Sequence, residues 1–190
     1  MTEALPITIE PVTPDRWDDV VALFDRPGDP GRCWCLHFRM PRPEWSRLAV
    51  PERKDGLSRV VAAGTEPGLL AYAAGEPVGW VSVAPREEFL PFLERTRVLR
   101  PLPGEGVWSV LCFVVRRDVR RQGVAGRLLT AAVEHARAHG AKIVEGHPHD
   151  ETQRPPIAWE LYVGTTAMFA RAGFTEVARR GKRPTYRIQL

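Results

Sequence analysis

Apolar and polar positions alternate from Ile7 to Val12, a period of two that predicts a first strand. Thr13 caps a predicted helix that holds Pro14 and Asp15 in its first turn and runs to about Asp25. Arg26 to Pro43 is rich in proline and glycine and reads as a loop. A second helix is predicted from Pro43 to Ala63, with a break near Pro51. Two strands, Gly68 to Ala74 and Pro77 to Ala84, flank a tight turn at Gly75-Glu76. Pro85 to Arg95 holds one short helix, and Pro101 to Gly104 is a loop. Val107 to Val115 is a long apolar run, the pattern of a strand buried on both faces. From Gly123 to His139, the residues Val124, Leu128, Leu129, Ala132, Val133 and Ala136 fall on one stripe of an amphipathic helix. Gly140 stops it. Lys142 to His147 is the next strand, Trp159 to Ala172 a further helix stopped by Gly173, and Phe174 to Ala178 and Thr185 to Gln189 the last two strands.

That order predicts a mixed α/β domain with a central, partly antiparallel sheet. The 190 residues suit one domain, 1–190, with one buried core. The longest apolar runs are too short to span a bilayer, and the first residues carry no signal-peptide pattern. The expected location is the cytoplasm, with no membrane partner.

Composition changes the picture at two points. The formal charge is +4, mostly from arginine, which fits a polyanionic partner. Arg116, Arg117, Arg120, Arg121 and Arg127 form a dense cluster beside glycines; Arg179, Arg180, Lys182 and Arg183 read as a solvated turn. No nucleic-acid motif is present, so the expected partner is not a nucleic acid. The three cysteines, Cys33, Cys35 and Cys112, read as reduced thiols, with Cys112 in the core. Cys33-x-Cys35-x-His37 lacks the Cys-x-x-Cys spacing of structural zinc sites, so no metal is expected. Trp34 and Phe38 of the same loop, with Trp45 just after it, either pack the first two helices or line an acceptor pocket.

The segment from Leu111 to Leu129 carries candidate chemistry. A buried strand leads through a basic turn into a helix N-terminus, whose first amides have no partner within the helix and face outward with the positive end of the dipole. That arrangement receives phosphate. Gly123 and Gly126 let a ligand approach the backbone, and Arg120, Arg121 and Arg127 supply permanent charge. No Gly-Lys-Ser/Thr is present, so a nucleoside-triphosphate loop is excluded. A dinucleotide fingerprint would need a further glycine, although Glu145 stands near where a ribose-binding acid would fall.

Arg120-x-x-Gly123-x-Ala125 resembles the Arg/Gln-x-x-Gly-x-Gly/Ala signature of the GNAT acyltransferase superfamily. Met168-Phe169-Ala170-Arg171-Ala172-Gly173-Phe174 is similar to that family's late Leu-Tyr-x-x-x-Gly-Phe box. The resemblance implies a GNAT-like mixed central β-sheet flanked by helices, binding acetyl-CoA as co-substrate. A gap would open between the strands at Val107–Val115 and Lys142–His147. The pantetheine arm would pair there with backbone groups of Phe113 and Val115, and a backbone N–H among Phe113, Val114 and Val115 would hold the oxyanion. The pyrophosphate would rest on the amides of Gln122, Gly123, Val124, Ala125, Gly126 and Arg127.

The implied activity is N-acetyl transfer to a small-molecule or protein amine by direct attack. The family's tyrosine acid falls at Phe169, which has no proton to give and so favours the alternative, a non-catalytic acyl-CoA-binding module. Tyr162 lies seven residues earlier, about 10 Å along the predicted helix on nearly the same face. It is a candidate acid, or a cofactor contact where many relatives carry Asn. Glu145, His147, His149 and Asp150 are candidate bases, His147 being the best match to neutral pH; a polar loop or a water chain are the alternatives. The acceptor and the oligomeric state, a homodimer included, stay open.

Overall fold

The computed structural model describes residues 5–26, 33–152 and 157–190. A single seven-stranded sheet runs in the order β1-β2-β3-β4-β5-β7-β6. The strands are β1 (Thr8–Pro11), β2 (Gly68–Ala73), β3 (Glu76–Pro85), β4 (Val107–Val115), β5 (Ile143–Gly146), β6 (Thr175–Arg180) and β7 (Arg183–Gln189). All neighbours are antiparallel except β4 and β5. Parallel neighbours need a long crossover, supplied by the helix α5 (Val124–Ala138). Its apolar stripe, Val124, Leu128, Leu129, Ala132, Val133 and Ala136, packs on Val81, Val83, Val110 and Phe113 of the sheet.

The opposite face is covered by α1 (Trp17–Phe24), α3 (Val50–Ala62) and α4 (Leu90–Leu93), and the short α2 (Arg42–Arg47) precedes α3. There Val20, Leu23, Phe24, Trp34 and Leu57 pack on Leu70, Trp80, Cys112 and Val114. Trp34 is fully buried and stacks on Phe24 with ring centroids 5.5 Å apart, so it is a packing residue. A smaller cluster joins Phe89, Phe92 and Leu93 to Leu111. A sheet buried on both faces explains the unbroken apolar run of β4.

Four elements depart from the sequence expectations. The first predicted helix starts as a 3-10 turn, Pro14–Arg16, before α1. The second is two helices, α2 and α3, and the break falls at Leu48, whose backbone is extended, not at Pro51. Pro51 sits in the first turn of α3, where its missing N–H has no intrahelical role. Ala74 and Gly75 are the turn residues between β2 and β3, both with positive φ (49° and 79°); this suits the twist of a two-residue hairpin and moves Glu76 into β3. The predicted helix Trp159–Ala172 is divided into a 3-10 segment, Ala158–Val163, and α6 (Thr166–Arg171). Gly164 breaks it with φ 74° and ψ −177°, and the Thr165 hydroxyl then caps α6 by accepting from Met168 N. Residues 27–32 of the loop predicted over Arg26 to Pro43 lie outside the described residues.

The end of β5 is tightly packed. A methyl group added at Gly146 would lie 2.4 Å from Cε1 of the buried Phe169 and 3.2 Å from the Val110 carbonyl oxygen. Gly146→Ala is therefore expected to destabilise the fold by about 1–3 kcal/mol, the usual range for an overpacked core. Chemical denaturation of the two proteins measures it, and equal midpoints would refute the close packing.

Candidate functional site

β4 and β5 pair only from Val107/Ile143 to Val110/Gly146. Just beyond, the β3–β4 register slips: Val83 faces Val110 but Ser82 faces Cys112, so Leu111 is an extra residue on β4. A bulge bends its strand and increases the local twist, and this one lies where β4 leaves β5. Arg116 N donates to Val78 O at 2.9 Å. Backbone direction alternates along an antiparallel strand, so Val114 also turns to β3. Phe113 and Val115 turn their backbone groups to the parted side. Val115 O accepts from Arg120 Nε at 3.0 Å, which anchors the basic turn to that edge.

The turn delivers a helix start. Gly123 caps α5 with φ 79°, a left-handed backbone that glycine adopts without strain. The first intrahelical bond runs from Arg127 N to Gly123 O at 3.1 Å, so the amides of Val124, Ala125 and Gly126 precede the ladder. A methyl group added at Gly123 or Gly126 would meet nothing within 4 Å, so both glycines face open space. That space is a cavity of about 920 Å³. Its walls are Phe113 and Val115 of β4, Gly123 to Arg127 and Thr130 of α5, and Leu161, Tyr162, Thr165, Met168 and Arg171 from the segment after β5.

Most of the predicted cofactor residues come together here. Phe113, Val115, Arg120, Arg121, Gly123, Val124, Ala125, Gly126 and Arg127 all line the cavity. Val114 and Gln122 do not. Val114 packs its side chain into the opposite face of the sheet, against the cluster of Trp80 and Cys112. Gln122 turns its amide back to the Asp118 carbonyl at 3.4 Å. Arg127 also donates to Leu5 O at 2.6 Å, tying the N-terminal segment to the helix. Sequence reasoning missed Arg117, Thr130, Arg171 and Met168 as lining residues. Arg117 belonged to the recognised cluster, but the far wall depends on how the chain folds after β5.

Tyr162 and Phe169 do not share a helix face, because Gly164 separates their segments. Tyr162 nevertheless lines the cavity, carried there by the 3-10 segment, and also packs against the core on the α1 side. Phe169 is fully buried, with edge contacts to Phe113 (6.3 Å between centroids), Phe174 (4.9 Å) and Tyr186 (6.3 Å).

The predicted bases lie outside the cavity walls. Glu145 is completely buried and holds Arg187 through two bonds, 2.9 and 2.7 Å, with Arg86 3.9 Å from its other oxygen. A carboxylate held between two guanidinium groups in the core serves as their counter-ion, which corrects its reading as a base. His147 is buried, and its Nδ1 lies 3.2 Å from the Thr185 hydroxyl. Burial, and then the positive charges of Arg183, Arg187 and Arg180, push its pKa down from 6.5 to about 4. Such a ring is a weak base at neutral pH, so the match to neutral pH read from the sequence does not hold. Asp150 pairs with Arg179 at 2.6 Å, and His149 lies 3.8 Å from Glu160. Neighbouring Glu151 accepts from the amides of Thr166 (3.0 Å) and Ala167 (2.9 Å), capping α6. Cys33 and Cys112 are poor nucleophiles: burial pushes Cys33 up to about 12, and the Cys35 contact and burial raise Cys112.

A mixed sheet that parts beside a glycine-opened helix N-terminus makes this an α/β domain with a cleft suited to a phosphorylated ligand. The model of the Acetyltransferase (GNAT) family matches residues 32–162, more than half of the chain, and the chain belongs to that family. No curated protein matches it. Among solved structures, an acetyltransferase of the GNAT family from Streptococcus pneumoniae is 17% identical, with a TM-score of 0.54 over 97% of this chain and 100% of that one. The PaiA N-acetyltransferase from Thermoplasma acidophilum, in complex with coenzyme A, is 10% identical with a TM-score of 0.55, covering 97% and 99%. Diaminobutyrate acetyltransferase EctA from Paenibacillus lautus, with 2,4-diaminobutyric acid and coenzyme A, is 14% identical with a TM-score of 0.53, covering 97% and 95%. These likenesses show the GNAT fold. Among the described residues, no helix is long and apolar enough to cross a membrane.

The depressed pKa of His147 links protonation to stability. The fold holds the neutral ring, with a pKa of about 4 against 6.5 when unfolded. Its contribution is complete above pH 6.5 and is lost as pH falls through about 4, on the order of 3 kcal/mol at most. Unfolding free energies of the natural chain and His147→Gln, followed from pH 7 to pH 4, should therefore converge as the pH falls. A constant difference would contradict the buried neutral ring.

Proposed function

We propose that this chain transfers an acetyl group from acetyl-CoA to an amine of a small molecule or a protein. The observation that carries this reading is the shared cavity: one space joins the helix start, the exposed backbone edge of β4 and the Tyr162 side chain. The pyrophosphate rests on the amides of Val124, Ala125 and Gly126, with Arg117, Arg120 and Arg121 around it. The pantetheine arm runs along β4 and pairs with the backbone of Phe113 and Val115 as an added strand.

In the transfer, the neutral amine nitrogen attacks the thioester carbonyl and a C–N bond forms. A backbone N–H of the parted edge, from Phe113 or Val115, stabilises the developing oxyanion. When the C–S bond breaks, the thiolate takes a proton from the Tyr162 hydroxyl. The proton shed by the nitrogen leaves through water and restores Tyr162. No acyl-enzyme is required, in keeping with the raised thiol pKa of Cys33 and Cys112.

A second reading, a non-catalytic acyl-CoA-binding module, is favoured by Phe169 in place of the family's tyrosine. Acetyl-CoA turnover with a panel of amines separates the two, because only the enzyme releases free coenzyme A in proportion to amine.

Two substitutions test the assignments. Gly126→Glu adds a side chain where space is open, and an acidic group in the first turn suits the helix dipole. The fold should survive while acetyl-CoA affinity falls roughly a hundredfold or more, since the carboxylate meets the pyrophosphate. Unchanged binding by calorimetry would remove the phosphate cradle.

Tyr162→Phe removes one hydroxyl. The saturated rate should fall about a hundredfold, the usual range for an acid–base group, with little change in acetyl-CoA affinity. A normal saturated rate with weaker binding would instead make Tyr162 a cofactor contact.

A further inference from the structure

His135 and His139 lie four residues apart on α5, so their rings share one face near its C-terminal end. Gly126, in the first turn, is about 14–20 Å away along the helix axis. The two rings approach to 4.3 Å between centroids. Trp108 of β4 walls them in, with its centroid 5.6 Å from each. The turn between α3 and β2 brings Glu66 to the same point, with a left-handed backbone (φ 44°) uncommon outside glycine. Its Oε2 lies 3.6 Å from Nε2 of His135 and 3.6 Å from Nε2 of His139.

These separations are too long for hydrogen bonds. They are close to the spacing of two ligands on one metal: atoms 2.0–2.1 Å from a tetrahedral zinc stand about 3.4 Å apart. The three ligand atoms all lie within 4.8 Å of one another. The His135 side chain is only 9% exposed, and its Nε2 is buried with no hydrogen-bond partner among the described residues. A buried nitrogen aimed at two other donor groups points to a ligand. His139 is already oriented: its Nδ1 donates to the His135 carbonyl at 2.8 Å. That bond leaves Nε2 as the lone-pair nitrogen of the neutral ring and supplies the outer support common to metal-binding histidines.

We propose that Glu66, His135 and His139 form a binding site for a divalent transition-metal cation, separate from the acyl-transfer cavity. Two imidazoles and one carboxylate are the donor set of zinc and its neighbours rather than of calcium or magnesium. Water completes the coordination on the side of His139, which is half exposed. The ion fastens the α3–β2 turn to the end of α5. The site differs from Cys33-x-Cys35-x-His37, where His37 packs instead among Phe38, Trp45 and Phe92.

The test titrates Zn²⁺ into the full chain after chelator treatment, by calorimetry and by thermal unfolding. One Zn²⁺ per chain is expected, with Tm raised by several degrees at about a hundred times Kd. His139→Ala and Glu66→Gln should each weaken binding roughly a hundredfold and abolish the rise in Tm. Both residues are partly exposed, so these variants are expected to fold, unlike a change at His135. A Cys33→Ser/Cys35→Ser variant should bind as the natural chain does. Absence of Zn²⁺ binding, or binding undiminished in His139→Ala and Glu66→Gln, overturns the site.

Discussion

Leu111 is one residue more than β3 can pair, and the geometry of the cavity depends on how the sheet accommodates it. Before it, β4 is bonded on both sides; after it, β4 keeps β3 and leaves β5. Leu111 and Cys112 both enter the core opposite α5, in adjoining clusters. The shift in parity then aims the backbone of Phe113 and Val115 into the gap and their side chains toward α5. Phe169 fills the root of that gap, between Phe113 and the glycine that ends β5. The position where the family signature carries a tyrosine acid is here a wedge, and the wall of the cavity passes to Tyr162.

The arginines divide by environment. Arg117, Arg120, Arg121 and Arg127 are exposed and border the cavity, with Arg120 fixed by a backbone carbonyl, whereas Arg116 pairs with Asp118. Arg187 and Arg86 are buried on the other face, where they share Glu145 and gather the carbonyls of Leu102, Pro103 and Gly104. A buried pair of this kind adds little net stability, yet losing one partner leaves an uncompensated charge and costs about 3–5 kcal/mol. Glu145 thus holds β5, β7 and the loop before β4 together, and its charge is spent on the fold. His147 stands nearby, and its burial, reinforced by the same positive field, keeps the ring neutral.

The proposed phosphate cradle and the proposed metal site both use α5, at opposite ends. The N-terminal end presents amides and glycines to the cavity. The C-terminal end presents two imidazoles to a turn that follows α3. The apolar stripe between them seats the helix on β3 and β4, so both ends are positioned by the same packing.

The sequence by itself determined the elements whose signals are local. The stripe of α5, the apolar run of β4 and the glycines of the helix start are set by period and backbone freedom within a few residues. Those features marked one side of the cavity and nearly all the residues that line it there. Even the break at Gly164 had a local mark, a glycine followed by a capping threonine. What the sequence left open depends on neighbours distant along the chain. The bulge at Leu111 appears only against the register of β3. Val114 is turned away by strand parity, and Glu145 is neutralised by Arg187, forty-two residues later. His147 loses its basicity to burial, and then to three arginines that only the β6–β7 hairpin brings near. Glu66 meets His135 only after α5 docks on the sheet. Charge, proton affinity and ligand geometry are set by distances across space, which tertiary packing alone decides.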